Sequence, residues 1–290
     1  MSIDRLHNRI RKLKNPSVLD FSIQPDMLPS HLLQQEGSVA KAYGRFCQEL
    51  MLELKDQIPA VRFSFGIFSM LGREGLELLY KLLHVAADLG YYVMLDSPEI
   101  LSPLAAEWTV RTLCAEDICC DAFIISPYIG SDAVKPFLPY CKDGSTTLFA
   151  VVRSPNKSAS ELQDLLSGTR QVHTAAADMI SRHGETVLGK CGYGRIGALV
   201  SAGSPEILRS LRGKYPRTFL LVDGLDYPSG NAKNCSFAFD RFGHGAVVCA
   251  GTSITAAWKE SGSDGEHYLE YAKQAAERIK RNLTRYITIL

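Results

Sequence analysis

The segment REGLELLYKLLHVAADLGYYVMLD, residues 73–96, contains a helical pattern followed directly by a strand pattern. Leucines recur at the three- and four-residue spacing of a helical turn and form one apolar stripe: Leu76, Leu79, Leu82 and Leu83. The run YYVMLD that follows is typical of a buried strand, and it ends at a carboxylate, Asp96. A helix that leads into such a strand predicts one unit of a parallel sheet.

The same alternation extends in both directions along the chain. Eight short apolar runs end at polar or glycine-bearing loops, and helical patterns such as 204–214 separate them. The runs are SVLDFS (17–22), VRFSFGIF (61–68), YYVMLD (91–96), DAFIIS (121–126), TLFAVV (147–152), IGALVS (196–201), TFLLVD (218–223) and GAVVCA (245–250). Eight strands alternating with helices imply parallel pairing, and the closed arrangement of that number is a (β/α)₈ TIM barrel. We therefore predict one α/β domain over 1–290. An open doubly wound sheet is the alternative, and no G-x-G-x-x-G follows the first run to favour it.

Composition narrows the class of partner. The chain has 290 residues, 46% of them hydrophobic, and its 32 basic and 31 acidic side chains are interspersed to a formal charge of +1. Interspersed charges of both signs do not produce the positive electrostatic potential that binds nucleic acid or an anionic membrane. A small molecule or another protein is therefore the expected partner. No 18-residue apolar run and no secretory signal occur, and the eight cysteines contain no C-x-x-C pair. These features predict a cytoplasmic protein with reduced thiols.

Several stretches together resemble one family, orotidine 5'-phosphate decarboxylase in its longer bacterial form. The stretches are MSIDRL (1–6), NPSVLDFSIQPDMLP (15–29), GREGLELL (72–79), SPYIGSDAVKPFL (126–138), VVRSPNKSASELQDL (151–165) and GKCGYGRIGALVSAGSPE (189–206). SPYIGSDAVKPFL is the most specific, because Pro-Tyr-x-Gly followed by Lys-Pro-Phe-Leu is more than fold periodicity requires. The resemblance implies a barrel, usually a homodimer, that converts orotidine monophosphate to uridine monophosphate and carbon dioxide without a metal or organic cofactor.

The resemblance fails at the catalytic motif. In the family the third strand ends in Asp-x-Lys-x-x-Asp, and a Lys from strand two joins these charges around the reacting carbon. Here Asp96 matches the first Asp, whereas Pro98 takes the Lys position and Leu101, or a gap, takes the last Asp. Arg62 stands at the strand-two Lys, and Ser22 replaces the Asp that ends strand one. We therefore interpret Asp96 and Arg62 as degenerate catalytic positions and Ser22 as a ligand-binding candidate.

The ligand-binding positions are also altered. The resemblance places phosphate at the glycine-rich loop after strand seven, where Gly224 and Gly230 are kept, and at an Arg after strand eight, where Thr252 stands. Asp226 is an added carboxylate in the first of these loops. Backbone N–H groups at 251–253 are a remaining candidate for receiving an anion. We expect weak nucleotide binding at best.

Two further candidates follow strand five. Ser154 and Asn156 match positions near the family's pyrimidine contacts, and either binding of a base edge or simple capping of the loop fits them. On strand one, Asp20 and Ser22 are two residues apart and should point to the same side. We predict that Asp20 forms a buried ion pair with Arg62 that fills the former pocket; the alternative is that one of them turns to solvent.

Three functions remain open from the sequence. The first is a catalytically inactive or repurposed homologue that binds a nucleotide monophosphate weakly or a protein partner. The second is a working decarboxylase of pyrimidine synthesis whose missing groups come from elsewhere, with Lys135 and Lys259 as the nearby candidates. The third is a metal-assisted lyase that uses an acidic cluster of Asp96, Glu99, Asp223 and Asp226. Solvated loop carboxylates are the simpler interpretation of that cluster.

Overall fold

Eight parallel strands close into a barrel in the computed structural model, which describes residues 2–96, 102–114 and 118–290. The strands are β1 (Ser17–Asp20), β2 (Ala60–Ser64), β3 (Tyr92–Asp96), β4 (Ala122–Ile125), β5 (Thr147–Arg153), β6 (Ile196–Ser201), β7 (Leu220–Asp223) and β8 (Ala246–Ala250). Their order follows the chain, and β1 pairs with both β2 and β8 to complete the ring. The predicted (β/α)₈ barrel is confirmed, and the open-sheet alternative is wrong.

Helices surround the barrel and connect its strands. The helices are α1 (Ser2–Leu13), α2 (Ser30–Glu36), α3 (Val39–Leu54), α4 (Phe65–Met70), α5 (Gly72–Asp88), α6 (Pro103–Leu113), α7 (Leu138–Asp143), α8 (Val172–Gly184), α9 (Pro205–Lys214), α10 (Ala232–Ser236), α11 (Thr252–Thr255), α12 (Ala257–Glu260) and α13 (Tyr268–Thr284). Short 3₁₀ turns occur at Pro25–Met27, Gly130–Ala133, Lys135–Phe137 and Lys157–Glu161. Among the described helices, none is long and apolar enough to cross a membrane.

The strands are almost continuously apolar because both of their faces are covered. Every residue of β1, β4, β6 and β8 is buried, with other strands' side chains on the inner face and helices on the outer face. This double burial explains why the strand runs are recognisable in the sequence although they do not alternate with polar residues.

The predicted and observed strands differ most at β2, and β1 ends at Asp20, two residues before its predicted end at Ser22. The run VRFSFGIF was assigned to 61–68, but β2 ends at Ser64 and α4 begins at Phe65. Helical winding turns Phe68 inward, where its ring lies edge-on to Tyr43 at 5.3 Å between centroids. A short apolar run fits a strand and a buried helix equally well, and tertiary packing decides between them.

The N-terminal end of the barrel is sealed by α1. Arg5 donates from Nη1 to both carboxylate oxygens of Asp121, at 2.6 and 2.7 Å, and Ser2 Oγ lies 2.9 Å from the Tyr92 hydroxyl. These contacts close one end of the barrel, and such contacts at that end of a barrel serve stability. The opposite end, where the strands finish, remains accessible.

The cysteines carry no disulfide bond. All eight lie within the described residues as free thiols, and Cys47, Cys141, Cys235 and Cys249 are fully buried. Reduced thiols in the cell stay a prediction.

Candidate active site

A cavity of about 310 Å³ opens at the carboxyl ends of β1, β2, β7 and β8. This is the end of a (β/α)₈ barrel at which active sites are built. The described residues that line it include three carboxylates, one guanidinium and a partly apolar wall: Asp20, Ser22, Ile23, Gln24, Met27, Arg62, Asp223, Gly224, Leu225, Asp226, Tyr227, Cys249, Gly251 and Thr252.

Arg62 lies at the floor of this cavity between two carboxylates. Its Nε and Nη2 donate to the two oxygens of Asp20, at 3.0 and 2.6 Å, and its Nη1 donates to Asp223 Oδ2 at 3.0 Å. Asp20 and Arg62 are register partners on adjacent strands, so both side chains project to the barrel interior. The predicted buried ion pair is confirmed, with Asp223 as a second partner, but the pair does not fill the pocket, because the cavity remains above it.

The network keeps Arg62 permanently charged. Burial by itself lowers the pKa of the guanidinium, but the carboxylates of Asp20 and Asp223 raise that pKa well above its usual value, with a smaller contribution from Asp96. The Arg62 side chain is only 6% exposed, and Asp20 and Asp223 are its ion-pair partners among the described residues. Arg62 is therefore a fixed structural cation that cannot donate a proton at working pH.

Asp96 ends β3 opposite Ser64 of β2 and Ile124 of β4. Its charge reaches Arg62, but Asp96 is not among the residues that line the cavity. The other positions of the third-strand motif, Pro98 and Leu101, lie outside the described residues, as does Glu99.

The loop after β7 depends on two glycines for its shape. Gly224 has a φ of +82°, and its N–H donates to Asp223 Oδ1 at 2.7 Å. A Cβ at Gly230 would lie 2.2 Å from the carbonyl oxygen of Gly224 and 2.5 Å from that of Leu225. Both glycines are thus accounted for by the path of the backbone. Their proposed ligand-binding role stays a prediction, although Gly224 does line the cavity.

We expect Gly230→Ala to destabilise the fold by about 1–3 kcal/mol, because the added methyl group meets backbone atoms that cannot move independently. Gly213→Ala on α9 is the matched control, since a Cβ there meets nothing within 4 Å. That control should stabilise slightly through helix propensity. Urea unfolding of both variants checks the prediction, and equal stability would contradict it.

The loop after β8 meets the loop after β7 through Asp226. Asp226 Oδ2 accepts the N–H of Gly251 at 2.7 Å, immediately before α11. Thr252, the position of the expected phosphate-binding Arg, also lines the cavity. The backbone donor that the sequence analysis offered to an anion at Gly251 is therefore already bound to a carboxylate of the same chain.

Of the three remaining candidates for ligand binding, only one lines the cavity. Ser22 lines the cavity, and its N–H donates to Asp20 Oδ1 at 2.9 Å. Ser154 and Asn156 are outside the lining; Ser154 Oγ donates to Asn156 Oδ1 at 2.7 Å and Gln163 Nε2 donates to Ser154 Oγ at 2.9 Å. These bonds match a capped loop, so binding of a base edge by this pair stays a prediction.

The described carboxylates of the postulated acidic cluster are bound by donors of the chain itself. Asp223 is held by Arg62 and Gly224, and Asp226 by Gly251. Among residues 2–96, 102–114 and 118–290, no group of three His, Cys, Asp or Glu side chains is placed to hold a metal ion.

No lysine replaces the missing one at the described wall of the cavity. Lys135 forms an exposed ion pair with Asp132 at 3.1 Å, and the exposed Lys259 donates to the Asp26 carbonyl at 2.5 Å. The residues outside the described ranges are Met1, 97–101 and 115–117, and none of them is a lysine. Among the described residues that line the cavity, Arg62 is accordingly the one cation.

Sequence reasoning missed Asp223 as a partner of Arg62 and Asp226 as a partner of Gly251. Both residues were predicted as members of an acidic cluster because of their charge, but their hydrogen-bond partners were not predicted. Asp20 and Arg62 could be paired because they lie on adjacent strands. Arg62 and Asp223 lie on β2 and β7, which are not adjacent in the barrel, so strand register gives no signal for that contact.

A closed parallel barrel with a polar cavity at its strand ends places the chain in the class of (β/α)₈ barrel proteins. An orotidine 5'-phosphate decarboxylase of Rhodopirellula baltica is 31% identical over 260 residues, which cover 85% of this chain and 86% of that protein. Another of Clostridium novyi is 25% identical over 285 residues, 98% of each chain. This chain belongs to the orotidine 5'-phosphate decarboxylase family.

The solved structure of the Leishmania donovani OMP decarboxylase matches 98% of this chain and 100% of that one with a TM-score of 0.74. At 21% identity that similarity concerns the fold alone. No family model matches the chain.

Proposed function

We propose that this chain, unlike an active decarboxylase, no longer decarboxylates orotidine monophosphate. It has kept the barrel to bind a ligand or a protein partner. The observation that carries the proposal is the network in which Asp20 and Asp223 hold Arg62. A cation committed to one buried and one partly buried carboxylate is not available to stabilise charge on a substrate.

The chemistry of decarboxylation explains why this matters. Loss of carbon dioxide leaves a carbanion on the pyrimidine ring, which needs a positioned cation and then a proton donor. A lysine ammonium can do both, whereas the Arg62 guanidinium does not release its proton. Pro98 offers neither charge nor proton at the position of the second lysine.

A working decarboxylase is the second candidate function. The similarity to relatives named orotidine 5'-phosphate decarboxylase over 98% of the chain favours it, because the whole scaffold is kept. Under this alternative, Arg62 would have to act with groups supplied by a second chain.

A paired experiment distinguishes the two: carbon dioxide release from orotidine monophosphate, and calorimetric titration with uridine monophosphate. We expect no turnover and a dissociation constant near or above the millimolar range, because the cavity wall carries three carboxylates against one guanidinium. Micromolar binding without turnover would mean that the nucleotide pocket is retained without its chemistry. Turnover at the rate of the Rhodopirellula baltica relative would overturn the proposal.

We also propose that the chain forms a homodimer in a reducing compartment such as the cytoplasm. The exposed apolar side chains Leu104 and Trp108, one turn apart on α6, support an interface, and the free thiols support the compartment. Sedimentation velocity should give a species of twice the 32.0 kDa chain mass. Trp108→Ser should shift it toward monomer, and a wild-type protein that sediments as a monomer at micromolar concentration would contradict the proposal.

A further inference from the structure

Asp226 stands between two cavities at the C-terminal end of the barrel. The first is the barrel-mouth cavity around Arg62. The second, also about 310 Å³, lies farther out between the loop after β7, α11, α12 and α13. Asp226 lines both, together with Leu225 and Thr252. These three residues form the partition between the two spaces.

The carboxylate of Asp226 binds the backbone of the opposite loop. Its Oδ2 accepts the Gly251 N–H at 2.7 Å, and a Cβ built on Gly251 would lie only 3.3 Å from the same oxygen. A Cβ there would also lie 3.4 Å from the Asp20 carbonyl oxygen, so Gly251 is closely packed between the Asp226 carboxylate and β1. No second anion fits at this N–H while Asp226 holds it.

A carboxylate and a phosphate monoester compete for the same donors, since both present anionic oxygens to N–H groups. In (β/α)₈ barrels, phosphate sites are frequently formed by the loops after the seventh and eighth strands. Those are the two loops that the Asp226–Gly251 contact joins. Asp226 also adds a third negative charge to a wall whose cation, Arg62, is already shared by Asp20 and Asp223.

We propose that Asp226 is an internal anion that occupies the Gly251 N–H in place of a phosphate group and is the residue that makes the barrel mouth reject phosphate esters. This inference rests on the proposed function, because it explains the weak nucleotide binding expected there. It goes beyond that function by assigning selectivity to one contact. Removing the carboxylate should therefore create an anion site, a gain that a merely structural brace would not give.

The test is calorimetric titration of the full-length protein with inorganic phosphate and, separately, with uridine monophosphate. We expect Asp226→Ala to bind both at least about tenfold more tightly than the parent, because a backbone donor is freed and a repelling charge is removed. Asp226→Asn removes the charge but keeps an oxygen at Gly251, so its gain should be smaller. If Asp226→Ala folds poorly, Asp226→Asn replaces it as the test variant.

Asp88→Asn is the matched control, because it removes one exposed carboxylate from α5 without touching the barrel mouth. An equal gain in Asp88→Asn would indicate a general effect of net charge and overturn the proposal. Folded Asp226 variants that bind phosphate no better than the parent would also overturn it. Turnover of orotidine monophosphate by the parent would instead overturn the proposed function, so the two failures are distinguishable.

Discussion

Carbon dioxide release from orotidine monophosphate is expected to be about 10⁴- to 10⁷-fold slower with this chain than with its Rhodopirellula baltica relative. Loss of a general acid typically costs about 10²- to 10⁴-fold, and loss of preorganised charge stabilisation about 10²- to 10³-fold. Both losses apply here, because Pro98 cannot donate a proton and Arg62 is held by Asp20 and Asp223. The measurement is release of carbon dioxide from labelled substrate by the two proteins purified in the same way.

A variant of Arg62 sharpens this result. Arg62→Lys restores a cation that can donate a proton, but the ammonium would still face Asp20 and Asp223 and would lack the second lysine. We therefore expect no measurable turnover from Arg62→Lys either. Turnover by Arg62→Lys would mean that replacement of lysine by arginine at this position is by itself the cause of inactivity. Turnover by the parent would mean that Arg62 is sufficient for decarboxylation.

Asp20→Ala is expected to lower the free energy of unfolding by about 3 kcal/mol, the lower end of the range for breaking a buried ion pair. The lower end applies because Asp223 still accepts one hydrogen bond from Arg62 at 3.0 Å after Asp20 is removed. The Asp20 side chain is 10% exposed, so water cannot replace it fully. Because domains are stable by about 5–15 kcal/mol, the change is readily measured by urea unfolding.

Asp132→Ala provides the matched control for this experiment. Asp132 pairs with Lys135 at a similar distance, but both side chains are more than half exposed, so its removal should cost less than about 1 kcal/mol. In an Arg62→Met background, Asp20→Ala should lose its penalty, because no buried cation remains to be left unpaired. An Asp20→Ala protein as stable as the parent would show that the pair does not stabilise the barrel.

The barrel was predictable because its signals are local. Each strand is a short apolar run that ends at a polar loop, and each crossover helix, such as α5, carries a leucine stripe. These patterns require only a few consecutive residues, so the number and order of elements could be counted. The end of β2 could not be located in this way, since Phe65–Met70 suits a strand and a buried helix equally.

The site was only partly predictable. Asp20 and Arg62 could be paired from the sequence, because adjacent strands in a barrel and a two-residue side-chain period bring them to one side. The resemblance to the family likewise predicts changed positions at Arg62, Pro98 and Thr252, and these stay predictions. The first inference follows from strand order and the second from the positions of motifs along the chain, so neither requires the loops to be placed.

The sequence by itself therefore determined the (β/α)₈ architecture and the family, and it predicted the altered catalytic positions. Only the tertiary structure decided that Asp223 also holds Arg62 and that Asp226 binds the Gly251 N–H. The physical reason is that these contacts cross the barrel mouth between strands or loops distant in the chain. Their existence depends on barrel closure and loop path, which bring 62 and 223, or 226 and 251, together without leaving a periodic signal in the sequence.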